Sequence, residues 1–539
     1  NERRLLGRCM SKSKVTNSSF GQYFKLPNQG LQTYFGRVRE GQPEVYRSNF
    51  FGHRSASDVL AMWRKQLTAI SEQWPSLMEY EDDLAKKVGP MSVMKPLDQR
   101  ISDIDHYYDD ISLSSAQIDP RAISATLREF KPIAGLRIRS QARTVENMKL
   151  STNSGSPYFT KRRNVVDDTV PCIVESPDYQ ELNGDLNSAW KAAAVLGWRG
   201  QEGGPEVNDV KQRVVWMFPF AVNISELQVY QPLIEAAQRF ELVPAWNSME
   251  CVDRRITKLF DTKDPEDLII CTDFSKFDQH FNDSMSECAR MVLDGILQGD
   301  DKERWLNEVF PMKYNIPLAY DWGRIRTGKH GMGSGSGGTN ADETLAHRCL
   351  QYEAAITANQ KLNINSMCLG DDGILTYPGI SVDHVVKTYS SHGQEMNVDK
   401  QYASKDDCTY LRRWHHKNYR DRGVCVGVYS TCRALGRLIY RERYYKPEFW
   451  NEKMEALRQL SILENVKWHP LREQFVDFCM KGDKYRLGID IPGFLDDIGR
   501  IASEAISVMP DFLGYVQSEM SEQPGINAWW IVQYLKSKR

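Results

Sequence analysis

Two adjacent carboxylates, Asp371 and Asp372, follow a glycine in the run Cys368-Leu369-Gly370-Asp371-Asp372-Gly373. Strand-forming residues flank them, Ser366 to Leu369 before and Ile374 to Tyr377 after, which predicts a tight β-hairpin. The Asp372-Gly373 step is expected to supply the positive φ of its turn. A third carboxylate, Asp273, ends the apolar run Leu268-Ile269-Ile270-Cys271-Thr272, which reads as a buried strand. Either site alone fits turn aspartates chosen for backbone hydrogen bonding. Together, carboxylates at adjacent strand ends supply the hard oxygen ligands of two-metal phosphoryl transfer, in which the ions lie about 3.5–4 Å apart. Asp273 and Asp371 are the expected ligands; Asp372 supports the second ion or stays in the outer shell. The chemistry implied is nucleotidyl transfer.

Other residues could serve that chemistry. Asp278, five positions beyond Asp273, can accept a hydrogen bond from a ribose 2′-hydroxyl, although a surface or helix-start charge also fits. Gly328 to Thr339 holds glycines at 328, 331, 333, 335, 337 and 338, with Ser334, Ser336 and Thr339 interleaved. Such a composition suits a linker. Here a helix follows at once, with Leu345, Cys349, Tyr352 and Ile356 on one face, and a glycine-rich loop entering a helix can approach sugar, phosphate and template closely. Lys400, after Gly393-Gln-Glu-Met-Asn397, is either a general acid for a leaving pyrophosphate or a solvated charge. Lys211 and Arg213 alternate on a strand and so point the same way, as a triphosphate clamp would. The turn Thr152-Asn-Ser154-Gly155-Ser-Pro157, with Lys161, Arg162 and Arg163 after it, suits a template entrance or a plain surface turn. Tyr410-Leu411-Arg412-Arg413-Trp414 reads as a strand pair with its arginines on the phosphates of a growing strand.

These groups need a large scaffold, and 539 residues allow several subdomains. From about 250 to 415, buried strands alternate with helical stretches, an α/β core carrying the acidic motifs. Upstream, Leu60, Trp63, Leu67, Ile70 and Trp74 recur at helical spacing after a Ser57 cap. Downstream the chain is mainly helical, with one stripe of Met454, Leu457, Leu460 and Leu463 and another of Leu495, Ile498 and Ile501. The first fifty residues, basic at Arg3, Arg4, Arg8, Lys12 and Lys14, read as an arm laid over a surface. A net charge of −2 confines any nucleic-acid-attracting potential to a groove and its entrance. Eleven cysteines without a Cys-x-x-Cys pair argue against structural zinc and for a reducing compartment. No apolar run approaches the roughly 18 residues of a membrane span, and no secretory signal pattern is visible.

With these residues assembled, the chain resembles viral RNA-dependent RNA polymerases. Thr152 to Pro157 is similar to their motif G, Lys211 to Arg213 to the end of motif F, and Asp273-x4-Asp278 to motif A. Ser334-Gly335-x3-Thr339 matches motif B, Gly370-Asp371-Asp372 motif C, Gly393 to Lys400 motif D, and Tyr410-Leu-Arg-Arg motif E. Asp-Phe-Ser-Lys-Phe-Asp-Gln and Ser-Gly-Ser-Gly-Gly-Thr-Asn-Ala-Asp-Glu most resemble picobirnavirus sequences, then those of partitiviruses. The resemblance implies a cupped right hand, an α/β palm with a helical thumb. Its parts would be an N-terminal arm and helical segment bridging fingers and thumb (1–89), fingers (90–249 and 284–335), palm (250–283 and 336–415) and thumb (416–539).

The implied reaction is RNA-templated RNA synthesis with Mg²⁺, which Mn²⁺ would replace, for a segmented double-stranded RNA virus. Asp273, Asp371, Asp372 and Lys400 would be catalytic. Lys211, Arg213, Asp278, Ser334, Gly335, Thr339 and Asn340 would meet the nucleotide, and Ser154, Gly155, Pro157, Arg162, Arg163, Arg412 and Arg413 the RNA. Implied partners are template and product RNA, NTPs and a capsid protein, with no membrane. The protein would be a monomer inside the virion and in host cytoplasm. The alternatives are a reverse transcriptase-like enzyme, which Asp278 disfavours, and a silent RNA-binding or capsid-associated protein, which the intact acids disfavour. One departure stands out: many positive-strand virus enzymes have asparagine four residues after the motif B threonine, and this chain has Glu343. Two carboxylates, Asp278 and Glu343, cannot share a sugar unless one is protonated or a cation intervenes. The expectation is instead a capping box in which Asn340 caps the helix and Glu343 returns to its backbone, leaving ribose recognition to Asp278 with Ser334 or Thr339.

Overall fold

The computed structural model describes residues 17–509 and 525–539. The basic residues Arg3, Arg4, Arg8, Lys12 and Lys14 lie outside the described residues. The centre is a four-stranded antiparallel sheet in the order Tyr402–Ser404, Ile269–Thr272, Asp372–Leu375, Met367–Leu369. Ile269–Thr272 is buried at every position because both sheet faces are covered. Ile269 and Cys271 join Val252, Ile256 and Leu259 of the helix Met249–Thr262 on one face. Ile270, pointing the other way as strand alternation requires, joins the core that contains the helices Asp283–Ile296 and Thr339–Thr357.

A second sheet, in the order Lys211–Met217, Ala194–Gln201, Leu318–Asp321, Arg324–Arg326, is built on a long hairpin in which Lys211 pairs with Gln201 and Met217 with Val195. Phe20, Phe24, Leu31 and Phe35 pack on this sheet against Val195, Ala319 and Ile325. The chain then crosses to the C-terminal helices, where Phe50, Val59, Trp63, Leu67 and Leu77 share one core with Leu435, Leu438, Leu457, Leu460 and Phe475. Helix Ala56–Leu67 is capped by Ser55, which accepts from the Asp58 N–H, and not by Ser57. Both C-terminal stripes are buried in this core.

Glu81 ties the two ends of the chain together. Fully buried, it accepts from the Ser430 hydroxyl (2.7 Å), the Thr431 and Cys432 N–H groups (2.8 and 3.1 Å) and His469 Nε2 (2.9 Å). Burial alone would raise its carboxyl; His469 and these donors overcome that and hold it at about 2. A carboxylate at the N-terminus of helix Thr431–Ile439 satisfies N–H groups that have no intrahelical partner.

Candidate active site

Sheet register brings the acids together. Thr272 pairs with Gly373, so Asp273, just beyond its strand, and Asp372, the first residue of the neighbouring strand, lie at the same end of the sheet. Leu369 pairs with Asp372, which makes Gly370-Asp371 a two-residue hairpin turn. The positive φ belongs to Gly370 (+58°), not to the Asp372-Gly373 step. Gly373 is a strand residue, and glycine there has a different cause: a Cβ would lie 2.6 Å from the His347 ring.

Asp273 is exposed, and Gln401 brackets its backbone, accepting from its N–H (2.7 Å) and donating to its carbonyl (2.9 Å). Burial first, and then the charge of Asp371, push the Asp273 carboxyl above the ordinary range, while Lys400, Lys87 and Lys211 pull it down. Two hard donors whose repulsion is incompletely offset are what a divalent cation binds. Among the described residues no group of three potential metal ligands is assembled. Mg²⁺ keeps several waters and is commonly held by one or two carboxylates plus substrate phosphates. Asp273 and Asp371 fit that role. Asp372 is engaged differently: its Oδ2 accepts from the Leu411 N–H at 2.8 Å. Burial, opposed by that bond and reinforced by Asp371, raises its carboxyl to about 7.

Leu411 and Arg412 both have left-handed φ (53° and 58°), forming the turn between strands Asp407–Tyr410 and Arg413–His416. Arg412 stays half-exposed near Glu202. Arg413, expected on RNA phosphates, points inward and pairs with Asp253 at 3.0 Å. Arg412 belongs to the turn and Arg413 begins the strand, so the two side chains leave the backbone in different settings.

Glu343 does not close a capping box. Helix Thr339–Thr357 starts after Gly338 without a side-chain cap, and Asn340 Oδ1 accepts from Trp246 Nε1 (2.8 Å). Glu343 is 6% exposed and faces Asp278. Burial, followed by Asp278, drives the Glu343 carboxyl well above its ordinary range; burial also raises Asp278, which Arg213 opposes. One proton shared between the two relieves the repulsion, and the more enclosed Glu343 is the acid that keeps it.

The glycine-rich loop docks on the Lys211–Met217 strand. The Trp216 N–H donates to Ser334 O (2.7 Å) and the Ser334 hydroxyl to Val214 O (3.0 Å). Gly335, at φ +114°, leaves no room for a Cβ, which would lie 2.1 Å from Trp216 O. Behind the loop, buried Glu226 accepts from Ser336 Oγ and from the Gly337 N–H (3.2 Å). The Thr339 hydroxyl bonds to Gly333 O and Ser336 O. The hydroxyls of Ser334 and Thr339 thus shape the loop.

Lys211 and Arg213 are exposed at alternate strand positions, and their charges reach Asp273 and Asp278 respectively. The turn at Ser154 and Gly155 is buried against Phe218-Pro219-Phe220, just beyond the Lys211–Met217 strand, with Phe220 N–H donating to Ser154 O (2.8 Å) and Gly155 at φ +61°. Pro157 is buried in the same turn, while Lys161 and Arg163 are exposed. Arg162, expected at the template, lies over the Phe220 ring at 5.3 Å and donates to Lys149 O; burial lowers it to about 10. Lys87, Gln401, Glu226 and His347 escaped the sequence reading, and no local pattern singles them out. A cavity of 630 Å³ lined by Arg128, Arg255, Lys258 and Tyr352 contains none of these site residues.

Comparison with known proteins identifies the family. Residues 81–469 match the family described as viral RNA-dependent RNA polymerase. A potential RNA-dependent RNA polymerase of human picobirnavirus (strain Human/Thailand/Hy005102/-) is 60% identical over 98% of this chain and 100% of its own length. The crystal structure of a human picobirnavirus RNA-dependent RNA polymerase superposes with a TM-score of 0.93 at 60% identity, covering 98% of this chain and 100% of that one. An insertion-loop deletion mutant of such a polymerase gives 0.91 at 59%, with the same coverage.

Proposed function

Because the chain belongs to the viral RNA-dependent RNA polymerases and has their right-hand fold, we propose that it adds nucleoside monophosphates to an RNA 3′-hydroxyl under template direction. Pyrophosphate is released. Through this reaction it replicates and transcribes a segmented double-stranded RNA genome. The observation that carries the reading is the convergence of Asp273 and the Gly370-Asp371-Asp372 turn at one end of one sheet.

Asp273 and Asp371 hold the divalent ions, Mg²⁺ with Mn²⁺ as substitute, and Asp372 braces the turn through Leu411. Bound ions would acidify the attacking hydroxyl and neutralise the leaving pyrophosphate. Lys211 and Arg213 clamp the triphosphate, and Lys400 protonates the pyrophosphate as it leaves. Asp278 accepts from the ribose 2′-hydroxyl, beside protonated Glu343. Residues 90–249 and 284–335 act as fingers, 250–283 and 336–415 as palm, and 416–539 as thumb, with 1–89 bridging fingers and thumb. RNA enters past Arg163, and Arg412 meets the product strand. The polymerase works as a monomer within the particle, against the capsid protein, and in host cytoplasm.

An incorporation assay on a short RNA template, with and without primer, tests the reading. Asp371→Asn should abolish turnover while leaving fold and RNA binding intact, since a carboxamide lacks the charge the metal needs. Metal catalysis contributes several kcal/mol, so turnover above about a tenth of wild type would sink the assignment.

A further inference from the structure

The helix Thr339–Thr357 touches every acid-bearing segment through a residue with no assigned role. His347 is fully buried. Its Nδ1 lies 2.8 Å from the Gly370 carbonyl, so that nitrogen carries the proton. Its Nε2 has no hydrogen-bond partner among the described residues. The ring packs so closely on Gly373 that no side chain fits there, and it meets Phe274 edge-on at 5.1 Å. Phe274 follows Asp273, Gly370 precedes Asp371, and Gly373 follows Asp372. One imidazole therefore wedges between the two chain segments that carry all three carboxylates. Three residues earlier on the same helix face, the Thr344 hydroxyl accepts from the Gly370 N–H at 2.9 Å. Both polar groups of Gly370 are thus held from below by one rigid element.

We propose that Thr344 and His347 are positioning residues for RNA synthesis, fixing the Gly370-Asp371 peptide so that the Asp371 carboxylate stays in register with Asp273. This rests on the active-site reading above. The two residues touch no substrate and act through the turn. Burial depresses the His347 imidazole to about 4, so it stays neutral at working pH and leaves the acids uncompensated for the metal. A misplacement of about 1 Å near reacting groups costs on the order of a hundredfold in rate, and loss of an outer-shell partner of a metal site about 10- to 100-fold.

The test uses the full-length chain with four variants. Thr344→Val is isosteric and removes only the acceptor. His347→Phe keeps a ring and removes the donor. His347→Asn sets an amide N–H where Nδ1 was, and His347→Gln sets one where Nε2 was. Thr344→Val and His347→Phe should lower kcat about 10- to 100-fold with KM for NTP and RNA affinity unchanged. His347→Asn should recover most of kcat, and His347→Gln should not. The rise in melting temperature on adding Mn²⁺ should shrink in the two donor- or acceptor-less variants and return in His347→Asn. Wild-type kcat in folded Thr344→Val overturns the proposal even if His347→Phe fails to fold. Equal recovery by Asn and Gln overturns it too, since bulk alone would then suffice. Asp371→Asn, run in parallel, separates the levels: if it stays active the active-site assignment falls, and if it is inert beside fully active Thr344→Val only the positioning role falls.

Discussion

The Asp278–Glu343 pair makes a prediction whose sign and size follow from burial. Glu343 is 6% exposed, Oε2 has no partner among the described residues, and its carboxyl is held well above its ordinary value of 4.5 by burial and by Asp278. A group raised in the folded state contributes stability that is complete below its unfolded pKa and is lost as pH rises towards the folded one. The slope is about 1.4 kcal/mol per pH unit for one proton. Wild type should therefore lose up to about 3 kcal/mol relative to Glu343→Gln between pH 6 and pH 8, because glutamine keeps the donor to Asp278 and has no proton to lose. Denaturant unfolding of both proteins at pH 6, 7 and 8 measures the difference directly. Parallel pH profiles would mean that Glu343 is not the protonated partner. The proposed ribose role of Asp278 makes a second prediction. Asp278→Ala should erase preference for ribonucleotides, chiefly by slowing NTP incorporation, whereas Glu343→Gln should keep it, because a site built for a hydroxyl penalises its absence. If Glu343→Gln loses discrimination and Asp278→Ala retains it, the roles are reversed.

Lys211→Ala and Arg213→Ala should each raise KM for NTP with little change in RNA affinity, since ground-state triphosphate contacts are lost; an NTP titration at fixed template that leaves KM unmoved places this strand outside the nucleotide site. Gly335→Ala should impose about 1–3 kcal/mol of local strain and push the loop off Trp216, so incorporation should fall sharply while RNA binding persists; a fully active variant would show that the docked loop is dispensable. Glu81→Ala should destabilise the fold by about 3–5 kcal/mol, because His469 and the N–H groups of helix Thr431–Ile439 lose their partner. Calorimetry should then show weakened cooperativity in the core that residues 50–78 share with the C-terminal helices, and an unchanged profile would contradict that coupling.

The carboxylates were legible because strands fix them. Once Ile269–Thr272 and Asp372–Leu375 pair, the pleat leaves one place for Asp273 and the hairpin one place for Asp371. Lys211 and Arg213 were legible for the same reason, since alternation alone puts them on one face. The error at Glu343 has a physical cause: Asn-x-x-Glu is a capping signature only when the asparagine occupies the N-cap position. Here Gly338 occupies it, Asn340 already lies inside the first turn and accepts from Trp246, and Glu343 faces Asp278. Arg162 and Arg413 failed differently. Long cationic side chains follow whichever partner tertiary packing supplies, Phe220 for one and Asp253 for the other, and sequence spacing does not encode that partner. Lys87 and Gln401 reach Asp273 from positions far away in the sequence, so nothing local marks them.

The helix Thr339–Thr357 shows how one element can serve several parts of a site and still hide that from a sequence. Successive residues of an α-helix are about 100° apart, so Asp342, Glu343 and Thr344 fan over more than half the circumference. Asp342 accepts from Tyr230 and Tyr314 and pairs with Lys313 at 2.9 Å, anchoring the helix to its packing neighbours. Glu343 faces Asp278, and Thr344 with His347 faces Gly370. The apolar face of Leu345, Cys349, Tyr352 and Ile356 suggests an ordinary amphipathic helix, yet nearly every residue from Ala341 to Ala355 is buried. A buried polar side chain persists only with a partner. On such a helix each polar residue therefore identifies a neighbour it must satisfy, and here two of those neighbours are Gly370 of the hairpin turn and the Asp278 carboxylate.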